Sequence, residues 1–98
     1  MALRFEWDQR KASINKTKHG VSFEEAASSF GDPFSLTIED PDHSISENRY
    51  ILIDVSVSSR LLVVAHTCRQ HKIRLISARV ALRPERVQYE EGWVEQAR

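Results

Sequence analysis

Leu3, Phe5 and Trp7 alternate with Arg4, Glu6 and Asp8 at the start of the chain, the period-two mark of a strand with one apolar face. Asp8 then stands as the N-cap of a helix predicted over 9–18, its carboxylate placed to accept orphan backbone N–H groups. Ala12 and Ile14 are that helix's main apolar residues, so it is expected on the surface. Gly20, after Lys18-His19, supplies the left-handed residue that closes a helix. Ser22-Phe23-Glu24-Glu25 reads as a capping box in which the Ser22 and Glu25 side chains satisfy each other's backbone N–H groups. Val21 and Ala26 take the positions of its hydrophobic staple. Phe23, Ala26, Ala27 and Phe30 repeat at i, i+3, i+4 and i+7, and this second helix stops before Gly31-Asp32-Pro33.

The period then changes to two. Phe34, Leu36 and Ile38 alternate with Ser35, Thr37 and Glu39, and Asp40-Pro41-Asp42-His43 reads as a turn. Arg49 to Val57 is a predicted strand, Ser58-Ser59 a hairpin turn, and Arg60 to Thr67 a nearly all-apolar strand, as for one covered on both faces. Gln70-His71 turns the chain into a strand over Lys72 to Arg79. Simple alternation puts Arg74, Ile76 and Ala78 on one of its faces and Ile73, Leu75, Ser77 and Arg79 on the other. A last helix begins near Leu82, with Pro84 tolerated in its first turn. The expected fold is α+β: an antiparallel sheet with an N-terminal helical hairpin on one face and a C-terminal helix.

Ninety-eight residues, 41% hydrophobic and 29% charged, fit a single domain spanning 1–98. The longest apolar run, Leu61-Leu62-Val63-Val64-Ala65, is far short of a membrane span, and the charged opening residues read as no secretory leader. The expected location is the cytoplasm. One cysteine, Cys68, makes no internal disulfide, and His43, His66 and His71 show no ligand spacing with it, so neither metal nor cofactor is expected. Net charge is zero, but it is segregated. Residues 21–48 hold seven acidic residues and no Lys or Arg, whereas 49–83 hold seven basic residues against Asp54 alone. A neutral chain can thus carry a basic surface for phosphates and an acidic one for a basic partner, or simply two solvated faces.

A set of motifs sharpens this. Phe5-Glu6-Trp7-Asp8, Lys11, Asn15 and Lys18-His19-Gly20-Val21-Ser22-Phe23-Glu24-Glu25-Ala26 stand together with Asp32-Pro33, Asp40, His43-Ser44, Glu47 and Arg49. Arg60-Leu61-Leu62-Val63-Val64, Arg69, Arg74-Leu75-Ile76-Ser77-Ala78-Arg79, Ala81, Glu85-Arg86 and Tyr89 complete the pattern. In combination, over about residues 4 to 91, the chain resembles the BrnT family of bacterial toxins. The resemblance implies a RelE-like ribonuclease toxin of a type II toxin–antitoxin pair that cleaves RNA to arrest translation and growth. It also implies a BrnA-like antitoxin with a ribbon-helix-helix DNA-binding domain, a 2:2 heterotetramer, and contact with operator DNA only through that antitoxin. The chain departs from the family where Asp54 stands for a usual Gly and Leu82 for a usual Thr.

Metal-independent cleavage uses the RNA's own 2′-hydroxyl as nucleophile. The protein must take the 2′ proton, stabilise charge on the phosphorane-like transition state, and protonate the leaving 5′-oxygen. Arginine suits the second task through its bidentate fork. The catalytic candidates are Lys18, His19, Glu47, Arg49, Arg79, Glu85, Arg86 and Tyr89, with Arg69 and Arg74 as RNA-binding residues. His19 is singled out because imidazole titrates near neutral pH. Each has a plainer reading. Arg79 and Glu85 can be an ion pair tying the last strand to the last helix, His19 a favourable charge at a helix C-terminus, and Phe5 and Trp7 core residues rather than base-stacking ones. The alternative function is a toxin that is not a nuclease and acts by binding a protein target, since the fold alone does not decide.

Overall fold

The computed structural model describes residues 3–32, 34–40 and 47–96. In chain order the elements are β1 (Phe5–Glu6), α1 (Gln9–His19), α2 (Phe23–Ser28), a 3-10 turn (Ser29–Gly31), β2 (Leu36–Glu39), β3 (Arg49–Val55), β4 (Leu61–Arg69), β5 (Lys72–Val80) and α3 (Arg83–Gln96). This is a mixed α+β chain with a five-stranded sheet of order β1-β5-β4-β3-β2 and three helices. The expected turn at Asp40-Pro41-Asp42-His43 lies outside the described residues except for Asp40.

The local signals act through the predicted caps. The Asp8 carboxylate accepts from Arg10 N (2.8 Å) and Lys11 N (3.1 Å). Gly20, at φ +70°, closes α1 with its N–H on Lys16 O. Ser22 Oγ accepts from Glu25 N at 3.1 Å, and Val21 and Ala26 are fully buried. Half of the capping box is missing, however. The Glu25 carboxylate turns away to form a two-pronged ion pair with Arg60 and to accept from Ser56 Oγ. A charge-assisted fork outcompetes a single neutral backbone donor, so Glu25 bolts α2 to the β3–β4 hairpin. Phe30 falls in the 3-10 turn rather than in α2.

The β2–β5 part of the sheet is the expected antiparallel meander. The expectation of a wholly antiparallel sheet needs correction, because β1 joins β5 in parallel, pairing Phe5 with Ile73 and Glu6 with Arg74. The two helices between β1 and the meander carry the chain across the sheet, as a parallel neighbour requires. Where β1 stops, Asn15 takes over the exposed edge of β5. Its amide accepts from Ala78 N (3.0 Å) and donates to Ala78 O (2.8 Å) and Val21 O (2.9 Å). One buried side chain thereby stands in for a strand.

A second correction concerns β5. Ala65 pairs with Ser77 but His66 with Leu75, so Ile76 is an extra residue. A bulge of this kind resets the alternation. Ile73, Leu75 and Ala78 all enter one core with Leu52, Leu62, Val64, Phe23, Val21 and Ala12, against which Phe5 and Trp7 also pack. Arg74 and Arg79, expected on opposite faces, therefore share the other face. That second face holds Ile53, Leu61, Val63 and Ala81, with Leu36, Ile38, Ile51, Val55 and Tyr89 of α3 against them. We call the two the hairpin face and the α3 face. Leu61 to Val64 are buried on both sides, which accounts for the unbroken apolar run of β4.

Turns follow the chemistry of their residues. Gln70 and His71 both have positive φ (50° and 67°), the backbone of a two-residue turn matched to sheet twist. At α3, Leu82 has no capping group, but the Glu85 carboxylate reaches back to Leu82 N at 2.8 Å, the helix's half of a capping box.

Candidate functional site

The register sets a basic surface on the α3 face. Arg49, Thr67 and Arg74 lie side by side on β3, β4 and β5, and Glu6 continues the row onto β1. The next pair outward is Arg69 with Lys72. Strands about 4.8 Å apart put Arg49 and Arg74 about 10 Å from each other. Thr67, nearly fully buried between them, donates Oγ1–H to Asn48 O at 2.6 Å and fixes the approach of the chain to β3.

Carboxylates already sit in these guanidinium groups. Arg69 holds Glu47 with two hydrogen bonds, Nε to Oε2 at 2.9 Å and Nη2 to Oε1 at 2.7 Å. Arg74 Nη1 donates to Glu6 Oε2 at 2.7 Å. The Arg69 hydrogen bonds hold the Glu47 carboxyl below the usual carboxylate range, and the charges of Arg69, Arg49 and Arg74 add to this. Closer to α3, Arg79 and Glu85 form a fork-to-fork pair, so the ion-pair reading of these two is realised in the structure. Hydrogen bonding from Arg79 outweighs burial, and with the Leu82 N–H keeps Glu85 below its ordinary value.

Tyr89 points into the α3-face core and donates its hydroxyl to Asp32 Oδ2 at 2.6 Å. Burial first, and then the Asp32 hydrogen bond, push the phenol's pKa well up; at neutral pH it is an un-ionised donor. Asp32 also accepts from Val55 N (2.9 Å) and Phe34 N (2.8 Å). Burial alone would raise Asp32, but these three donors outweigh it and lower its pKa. Tyr89→Phe is expected to cost about 1–2 kcal/mol by removing one donor from a half-buried carboxylate; chemical denaturation at pH 7 checks this. Arg86 is exposed and lines a cleft with Tyr89, Arg60, Leu61, Val55 and Val80 at the β3–β4 hairpin end.

Lys18 and His19 end α1, which packs through Ala12 on the hairpin face. No hydrogen bond or ion pair among the described residues joins either of them to the arginines of the α3 face. Of the sequence candidates, the structure thus gathers Glu47, Arg49, Arg69, Arg74, Arg79, Glu85 and Tyr89 on one face, with Arg86 at its margin. Among the described residues no group of three His, Cys, Asp or Glu side chains is placed to hold a metal ion. No helix of the described residues is long and apolar enough to cross a membrane.

Sequence reasoning passed over Glu6, Lys72 and Asp32. The alternation of β1 places Glu6 on its polar face, but its partner across the chain is visible only in the parallel β1–β5 register. Lys72 was legible as a neighbour of the Gln70-His71 turn, since a two-residue turn pairs it with Arg69. Asp32 carries no sequence signal beyond the Asp-Pro turn.

Comparison with known proteins identifies the family. The sequence model of the ribonuclease toxin BrnT of type II toxin–antitoxin systems matches residues 7–85. No curated protein sequence matches the chain. Among solved structures, the crystal structure of the Brucella abortus ribonuclease toxin BrnT superposes with a TM-score of 0.57 at 20% identity. It covers 84% of this chain and 100% of that one, a likeness of fold. The family match spans most of the chain, from the Trp7-Asp8 cap to the Arg79–Glu85 pair, and on it the chain belongs to the BrnT family of ribonuclease toxins of type II toxin–antitoxin systems.

Proposed function

We propose that this chain is a RelE-like toxin that cleaves RNA without a metal ion. The attacking group is the RNA's own 2′-hydroxyl, and the reacting phosphate lies on the α3 face. One observation carries the reading: the bulge at Ile76 turns Arg74 and Arg79 to the same side as Arg49 and Arg69. Cationic donors converging on one surface are what a dianionic phosphorane needs, and fixed charges of this kind are often the largest catalytic contribution. Arg49, Arg69 and Arg74 hold the strand. Arg79, oriented by Glu85 and followed by Arg86 one turn into α3, faces the developing charge. Glu47 and Glu85 are ionised at neutral pH, and the arginines that hold them make them weak bases; their first role is to aim guanidinium groups. Lys18 and His19 stand apart from this surface, and a part for them in proton transfer requires the RNA to reach round to the end of α1.

Membership of a type II family implies an antitoxin partner. A BrnA-like antitoxin with a ribbon-helix-helix domain, joined in a 2:2 complex that alone contacts operator DNA, fits the family. Glu39 and Asp40 belong to the acidic stretch that such a partner can meet; Asp42 lies outside the described residues.

The test is a map of RNA 5′ ends and 2′,3′-cyclic phosphate termini in bacteria soon after the chain is induced without antitoxin. Arg79→Ala runs beside it at matched soluble level. New cyclic-phosphate ends that fall by about 100-fold in Arg79→Ala, in line with loss of one oxyanion donor, are the expected result. Growth arrest without new ends would sink the nuclease reading in favour of a toxin that binds a protein target.

A further inference from the structure

The sheet segregates its chemistry by face. Phe5, Phe30, His66 and Tyr50 stand in a chain of ring contacts, with centroids 5.1, 5.0 and 5.7 Å apart. Phe5 pairs with Ile73 and Tyr50 with His66, which in turn pairs with Leu75, so all of the strand aromatics belong to the hairpin face. The α3 face carries Tyr89, whose hydroxyl is fixed on Asp32. Its far end instead presents Arg49, Arg69, Lys72 and Arg74. Guanidinium forks on such a surface read phosphates, and phosphate contacts carry no base identity.

The protein itself fills the forks of Arg69 and Arg74 with carboxylates. The Arg69–Glu47 pair has the two-bond geometry that a phosphate would adopt in the same place. Arg69 and Glu47 are 51% and 28% exposed, and Arg74 and Glu6 29% and 31%. Ion pairs this open to water are weak, so a polyanion that releases counterions on binding can displace the carboxylates.

We propose that the end of the α3 face built on Arg49, Arg69, Lys72 and Arg74 binds single-stranded RNA through its phosphates without reading base identity, and that Glu6 and Glu47 are built-in competitors for the arginine forks. The proposal rests on the RNA-cleavage reading for the identity of the ligand. A single strand is required because in-line attack needs the 2′-oxygen, phosphorus and 5′-oxygen collinear, an arrangement that a regular A-form duplex withholds. The competing carboxylates keep each phosphate contact weak, so that a strand can shift along the face and leave after cutting.

Binding is measured with 12-residue 2′-O-methyl oligonucleotides, whose blocked 2′ position prevents cleavage, between 50 and 300 mM salt. The expected slope of log K against log salt is about −2 to −3, from about 0.7 per phosphate neutralised on a single strand. Oligo-U, oligo-A and oligo-C are expected to agree within about three-fold. Arg69→Ala and Arg74→Ala each reduce the slope by about 0.7, whereas Arg74→Lys, which keeps the charge and guards against an effect of misfolding, preserves it. Glu6→Gln and Glu47→Gln tighten binding by about two- to five-fold, the scale of an exposed ion pair. A slope shallower than −1, a ten-fold base preference, preference for duplex, or Gln variants that bind no more tightly would each overturn the proposal. If the binding results hold but the unmodified RNA is never cut, it is the nuclease reading that fails and the phosphate-binding face that stands.

Discussion

Wild-type protein is expected to lose about 2–3 kcal/mol of folding stability between pH 5 and pH 8 through a single side chain, and Asp54→Asn to abolish that loss. Asp54 is fully buried on the hairpin face of β3, beside Leu62. Neither carboxylate oxygen has a hydrogen-bond partner. The neighbouring Ser29 hydroxyl is already donated to Ala26 O at 2.6 Å. Burial, aided by the negative charge of Asp32 and opposed by Ser29, pushes the Asp54 pKa up from 3.8 to about 7. In the unfolded chain the group ionises near 3.8, so the folded state binds a proton that the unfolded state has lost. Stability from this residue is therefore greatest below pH 4, falls as pH rises, and levels off above about pH 7. His66 works in the opposite direction: burial lowers its pKa, so it destabilises on acidification. The difference between wild type and Asp54→Asn, taken from denaturant unfolding at pH 5, 6, 7 and 8, isolates the Asp54 contribution. A flat difference would show that the carboxyl finds a donor in solution.

Asn15→Ala is expected to cost about 3–5 kcal/mol, a large share of the stability of a domain this size. The amide makes three buried hydrogen bonds, to Val21 O, Ala78 O and Ala78 N. Alanine leaves all three backbone groups without partners, each at a cost of about 1–3 kcal/mol before relaxation. Two further consequences distinguish this from an ordinary cavity. The freed edge of β5 becomes available to other chains, so aggregation on warming should increase. Amide exchange at Ala78 should quicken far more than at Val64, its partner on β4. Unfolding curves and exchange rates of the soluble fraction check both. A loss below 1 kcal/mol would mean that water replaces the amide and that the edge is already solvated.

The sequence by itself determined the elements whose signals are local. Asp8, Ser22 and Gly20 place the ends of α1 and the start of α2, because caps act within four residues. The strands β2 to β5 and their turns follow from alternation and from Ser58-Ser59 and Gln70-His71. It also determined the family, because the motifs lie along the whole chain. What the sequence left open depends on contacts between residues far apart. Glu25 fits a capping box until Arg60, 35 positions on, offers a stronger partner. The parallel seating of β1 is set by where α1 and α2 return the chain. The bulge at Ile76 has no mark in the residues of β5; it arises from pairing with His66, and one inserted residue moves every later side chain to the other face. By simple alternation Arg74 and Arg79 are divided between two surfaces. In the folded sheet they share one, and it is that pairing, not the order of residues, that gathers the arginines on the face proposed to bind RNA.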